Sequence, residues 1–266
     1  MGLSPRERGA LDLKANRMSN MQRVYLIVCL TLAMIATAYA GGYFEWWLKH
    51  VLSIPPYTLL VASGLKKTAM LVVWLAPLLV IPKLRDIGSF RLPLTWTLLL
   101  LLPVLALNLY FFCRAEFSWP TRFAFAWIGM AAGIFEELVF RGYAFRRSSL
   151  SRPRLVIFTS ATCFALMHFI NLTNQPLRAV LDNIPLAFAI GLGFGIIRLV
   201  SGSVAWCMLV HGAIDSARGW FILDVTYQKL FLIAGATTFI ASLLVLYLHP
   251  RMRNHSLTYD TTTQNA

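Results

Sequence analysis

Acidic residues are scarce in this sequence: 11 Asp and Glu stand against 24 Lys and Arg, and charged residues make up only 13% of 266 positions. Soluble globular domains carry about a quarter charged residues, so a solvated surface of ordinary composition is excluded. Cysteine is sparse too. The four present (Cys29, Cys113, Cys163 and Cys207) are isolated and form no CxxC pair. Neither a disulfide framework nor a thiolate metal site is indicated, and each cysteine reads as packing. No DNA- or RNA-binding motif accompanies the net charge of +13. The basic residues sit instead in short clusters between apolar runs, the pattern of cytoplasmic loops, which argues against a nucleic-acid partner. There is no clear two-fold internal repeat of the kind many transporters carry. The Gly191-Leu-Gly-Phe-Gly195 run has no strand before it, so it reads as helix packing rather than a nucleotide loop.

What fills the chain is apolar: 58% hydrophobic residues and a mean hydropathy of +0.65. This is the composition of a multi-span membrane protein. Apolar runs fall at 24–40, 57–81, 94–112, 123–147, 154–171, 180–199, 204–221 and 230–248. The expected fold is an all-α, polytopic bundle of about eight transmembrane helices. The run at 57–81 is the least regular, because Lys66 and Lys67 interrupt it. Placing the N-terminus inside puts most basic residues on the cytoplasmic side, Arg23, Arg141 and Arg198 among them, and predicts both termini cytoplasmic in a plasma (inner) membrane. Ala38-Tyr39-Ala40 before Gly41-Gly42 has the small-residue pattern of a signal-peptide cleavage site, but the many later runs favour its retention as a span.

The chain divides into a cytoplasmic segment (1–23), N-terminal spans (24–121), a polar-bearing core (122–219), a last span (220–250) and a polar, Thr-rich tail (251–266) expected to be disordered. Ser151-Arg152-Pro153 and Ser201-Gly202-Ser203 are expected to open the runs that follow them. Gly129-xxx-Gly133 and Gly191-xxx-Gly195 are small-residue pairs that let membrane helices approach closely. Phe135, Phe140 and Phe145 are expected to pack, and Trp46-Trp47 to anchor at an interface.

Within the core, ionisable groups interrupt greasy runs. Phe135-Glu136-Glu137-Leu138-Val139-Phe140-Arg141 holds two carboxylates and an arginine, each of which costs roughly 2.5–3.5 kcal/mol at the middle of a membrane helix. Phe164-xxx-His168 and His211-xxx-Asp215 follow on separate runs, with Asp182 and Asn183 as weaker members. A spacing of four puts His211 and Asp215 on one helical face, and likewise Glu137 with Arg141 and Phe164 with His168. At 1.5 Å per residue, Glu136 lies about 16 Å from its cytoplasmic helix end, His168 roughly 24 Å, His211 about 12 Å and Asp215 about 18 Å. These depths allow the four to meet near the bilayer's middle. A glutamate and a histidine sharing a water can activate it for attack on a carbonyl, and a second polar pair can stabilise the oxyanion. Alternatively, two histidines and one or two carboxylates (Glu136, His168, His211 and Asp215) can ligate a catalytic zinc with an open position for water. Either route hydrolyses an amide. Intramembrane carboxylates and histidines also serve proton relays, so a transporter, an immunity factor or a scaffold is the non-enzymatic alternative.

Glu136-Glu137-xxx-Arg141, Phe164-xxx-His168 and His211-xxx-Asp215, in that order, resemble the three motifs of the CAAX protease and bacteriocin-processing family of intramembrane endopeptidases. The resemblance spans about residues 122–219. It implies an eight-helix membrane fold, a peptide or protein substrate near the membrane surface, and a polar cavity opening toward the cytoplasm. It further implies Glu136 as general base, His168 positioning the water, and His211 with Asp215 lining the oxyanion side, while Glu137, paired with Arg141, fixes the direction of Glu136, and Phe164 shapes the groove. The family often has asparagine where this chain has Asp215. An ionised aspartate would repel an oxyanion, so it is expected to be protonated, to orient His211 or to bind a metal.

Overall fold

The computed structural model describes residues 20–51, 55–80, 117–145, 153–173 and 175–221, with scattered positions in 106–113 and 233–247. The expected spans 94–112 and 230–248 lie largely outside the described residues, as do both terminal segments. Six α-helices are described: α1 (Asn20–Val51), α2 (Pro56–Val80), α3 (Trp119–Glu137), α4 (Pro153–Met167), α5 (Leu177–Ser201) and α6 (Ala205–Phe221). No strand occurs among the described residues. The described fold is all-helical, and among the described residues five helices are long and apolar enough to cross a bilayer.

Helix boundaries depart from the hydropathy pattern for local reasons. α1 runs 32 residues and continues straight through Ala38–Gly42, and its Met34 and Ala38 line an internal cavity. α3 starts four residues before its apolar run, because Pro120 stands at the first turn, where its missing N–H is harmless. It then widens into a π-helical turn at Leu138–Tyr143. Widening leaves carbonyls that the neighbouring helices satisfy. Ser160 Oγ donates to Phe140 O at 3.0 Å and Arg198 Nε to Arg141 O at 3.1 Å. Gly202, at φ 68°, closes α5, and its N–H donates to Arg198 O. The Ser201-Gly202-Ser203 stretch therefore ends one helix as well as preceding the next. Only an achiral residue takes that left-handed angle freely.

α3 and α6 form the closest pair. A Cβ on Gly133 would lie 2.3 Å from Gly212 N, and one on Gly129 2.2 Å from Ser216 N. Both neighbours are backbone and cannot yield, so the two glycines set the separation at which His211 and Asp215 face Glu136 and Glu137. Gly191 and Gly195 meet α4 more loosely: a Cβ on the first would lie 3.2 Å from Ala161 Cα and one on the second 3.1 Å from Ile157 Cγ2. Gly133→Ala is expected to destabilise the protein by about 1–3 kcal/mol through overpacking and to lower its activity. Thermal denaturation in detergent checks the first part. An unchanged melting curve would show that the interface is looser than described.

α2 packs on the other side of α3: Trp127 Nε1 donates to Thr68 Oγ1 at 3.0 Å, and the Tyr143 hydroxyl donates to Trp74 O at 2.6 Å. The main apolar core gathers Phe135, Leu138, Phe140, Tyr143, Phe164 and Met208 around the polar residues. Phe135, Phe140 and Phe145 are buried, while Trp46 and Trp47 are exposed along α1. Arg23, Arg141 and Arg198, counted above toward the cytoplasmic side, are buried. Arg141 and Arg198 tie neighbouring elements together through hydrogen bonds.

Candidate active site

The polar residues sit on the walls that the glycines bring together. Glu136 and Glu137 end α3, His211 and Asp215 lie one turn apart on α6, and His168 opens the 3₁₀ turn His168–Thr173 that follows α4. Two facing helices and one helix end supply the whole set.

Glu137 lies at the centre and is fully buried. Its Oε1 accepts from Arg141 Nη1 at 2.8 Å and from His211 Nδ1 at 2.8 Å. The Arg141 pair is as expected from sequence; the contact with His211 is not. The two neighbouring carboxylates meet different nitrogens of the His211 ring, because successive residues on a helix do not share a face. Arg141 is locked further by its Nη2 donating to Gly191 O at 2.8 Å, and its guanidinium carbon lies 4.8 Å from the Phe164 ring centroid and 5.4 Å from that of Phe194. A planar guanidinium can donate in its plane and stack on rings at its faces, which is how a buried cation is accommodated here.

With Nδ1–H given to a carboxylate, the His211 ring presents Nε2 to the remaining acids. Nε2 lies 3.8 Å from Glu136 Oε2 and 3.6 Å from Asp215 Oδ2. Asp215 therefore faces the reactive nitrogen, and Glu137 orients the ring. The imidazole is held between aromatic rings, stacked on Phe194 at 5.3 Å and edge-on to Phe164 at 5.4 Å. Phe164 also meets the His168 ring at 5.0 Å, so a single phenyl group is wedged between the two imidazoles. His168 Nδ1 is 2.9 Å from Phe164 O. A carbonyl only accepts, so Nδ1 carries the hydrogen and Nε2 is the basic nitrogen.

Glu136, His168 and Asp215 line a common cavity of about 150 Å³ together with Lys67, Asn171 and the apolar side chains of Met34, Met70 and Ile170. A smaller cavity, also reaching His168 and Asp215, is lined by His211 and Asn183. Asp182 is exposed on α5 and takes no part in either. The larger space is polar along one wall and roomy enough for water, so all four groups named from sequence open onto two adjoining pockets. Among the described residues, no group of three or more His, Cys, Asp or Glu has the arrangement of a metal site. With Nδ1 given to Glu137, His211 Nε2 and the carboxylates that face it offer acid, base and hydrogen-bond chemistry.

Two contributors escaped the sequence reading. Phe194 looked like part of a packing run. Lys67 looked like an irregularity in α2, and the signal that could have found it was that irregularity, a charge where a span should be apolar.

A family model described as type II CAAX prenyl endopeptidase Rce1-like matches residues 118–217, from the cap of α3 through the last turns of α6. No curated protein and no solved structure shows a significant match.

Proposed function

We propose, from the match of residues 118–217 to the type II CAAX prenyl endopeptidase family model, that this chain is a member of the CAAX protease and bacteriocin-processing family and an intramembrane endopeptidase of the plasma membrane that cuts a membrane-associated peptide or protein. The observation that carries this reading is the approach of His211 Nε2 to two carboxylates, one of which, Glu136, opens onto a cavity shared with a second imidazole.

In the proposed reaction a water in that cavity lies between Glu136 and His168 Nε2. Glu136 takes its proton while the oxygen attacks the scissile carbonyl carbon. The bond to oxygen forms, the carbonyl π pair moves onto oxygen, and a tetrahedral oxyanion results. Collapse expels the amine, which leaves with the proton that Glu136 holds. His211, with Nδ1–H on Glu137, keeps one orientation throughout. Asp215 offsets positive charge on its ring, so it need not be neutral to be tolerated beside the reacting centre. Phe164 keeps the two imidazoles apart, each with its own nitrogen toward the cavities.

The test is reconstitution of the purified protein with a panel of membrane-tethered peptides. Cleavage by the wild type supports the reading. Proton-coupled flux without any cleavage would instead favour a transporter. Tightly bound zinc by elemental analysis, with activity lost to a chelator, would overturn the metal-free mechanism while keeping the peptidase. Geometry alone yields a further expectation. Ala38 lines the cavity from α1, and Ala38→Phe is expected to fill it, lowering kcat/KM at least tenfold, about 1.4 kcal/mol. A variant that cleaves as well as wild type would show that substrate does not enter there.

A further inference from the structure

α2 carries two adjacent lysines in mid-helix, and their environments differ. Lys66 is paired with Glu45 of α1. Lys67 makes no ion pair and no hydrogen bond among the described residues. Its Nζ lies 5.2 Å from the centroid of the Phe135 ring, and its side chain lines the cavity that Glu136, His168, Asn171 and Asp215 share. A cation in an apolar span is costly unless something compensates it, and one aromatic face compensates only in part.

The chemistry of that cavity leaves a role unfilled. Addition of hydroxide puts negative charge on the carbonyl oxygen inside a space whose wall already holds Glu136 and Asp215. By then Glu136 holds the proton it took from water, which goes to the leaving amine, and an ionised Asp215 only accepts hydrogen bonds, so neither carboxyl is free to stabilise an oxyanion. The donor nitrogen of His211, Nδ1, is held by Glu137, and its Nε2 faces those same two acids. An ammonium on a flexible four-carbon stem brings three donors and a full charge, and Lys67 is the one residue lining the larger cavity that carries them.

Resting on the endopeptidase reading, we propose that Lys67 is the oxyanion-stabilising residue, its Nζ donating a hydrogen bond to the scissile carbonyl oxygen as that oxygen gains charge. No proton is transferred: the ammonium stays charged, and the hydrogen bond strengthens toward the tetrahedral state. The Lys67 ammonium lies over the face of the Phe135 ring at the wall of this cavity. This function needs a cation from another helix because α6 supplies an acid, Asp215, beside His211.

The experiment uses full-length protein in proteoliposomes, a membrane-tethered peptide that the wild type cleaves, and the analogue of that peptide in which an anionic phosphinate replaces the scissile amide. Lys67→Met and Lys67→Gln are each expected to lower kcat by about 10²–10³-fold, with KM within a few-fold of wild type and the melting temperature retained. Affinity for the phosphinate should fall in proportion to kcat/KM, and Lys67→Arg should restore much of both. A residue that only balanced the charge of Glu136 and Asp215 would move stability and leave the phosphinate-to-peptide affinity ratio unchanged. Retention of kcat within a few-fold in either folded variant, or an unchanged ratio, overturns the assignment and leaves the peptidase standing. A wild type that cuts no peptide in the panel overturns both.

Discussion

Glu136→Gln is expected to lower kcat by about 10²–10⁴-fold, the contribution of a positioned general base, with little change in KM. Glutamine keeps the shape and the acceptor oxygen but cannot take a proton. The folded state should lose little, because the nearest partner of Glu136, His211 Nε2, is 3.8 Å away, beyond hydrogen-bond distance. Removing a buried, weakly paired carboxylate relieves a desolvation cost, so the melting temperature should hold or rise. Single-turnover cleavage in proteoliposomes, alongside thermal denaturation, checks both halves. Persistent cleavage in this variant removes Glu136 from the mechanism.

Glu137→Ala should do the reverse, unfolding the protein before any change in chemistry can be read. Glu137 holds both Arg141 and His211 at 2.8 Å, and the arginine is fully buried. Breaking a buried pair leaves one charge uncompensated, at a cost of about 3–5 kcal/mol, measurable by denaturant titration in detergent. The double variant Glu137→Leu with Arg141→Met separates the two roles. Replacing a buried pair by apolar residues of similar volume is often neutral for stability, so folding should recover. Activity should not, because His211 Nδ1 would have lost the carboxylate that orients the ring. If activity returned with stability, Glu137 would be only a structural partner of Arg141.

These two neighbours show what could be read from the chain. Two adjacent carboxylates in an apolar run required polar company, and the spacing of four to Arg141, from Phe164 to His168 and from His211 to Asp215 gave pairs that share a helical face whatever the fold. Those local relations hold in the structure. The glycine pairs were equally legible, since only close packing explains two small residues four apart in a membrane helix. Long-range assignments were less so. Arg141 and Arg198 were counted by charge toward the cytoplasmic side, and their partners across the bundle, the Gly191 carbonyl and the π-helical turn, were not legible. Orienting His211 was one of three roles open to Asp215, on the same helix, and the residue that holds Nδ1 of that ring was not foreseen. It is Glu137, 74 positions away.

The sequence by itself determined the all-helical membrane class, the helices that bear chemistry, and the residues that share a face, because hydropathy and a 3.6-residue period are properties of each segment alone. Tertiary structure decided which carboxylate of Glu136 and Glu137 faces the cavity and which grips the imidazole, and that Lys67 joins the site from α2. Those outcomes depend on the rotation and separation of helices distant in sequence. Backbone contact at Gly129, Gly133 and Gly212 sets them, and no periodicity within one helix encodes the angle at which another meets it.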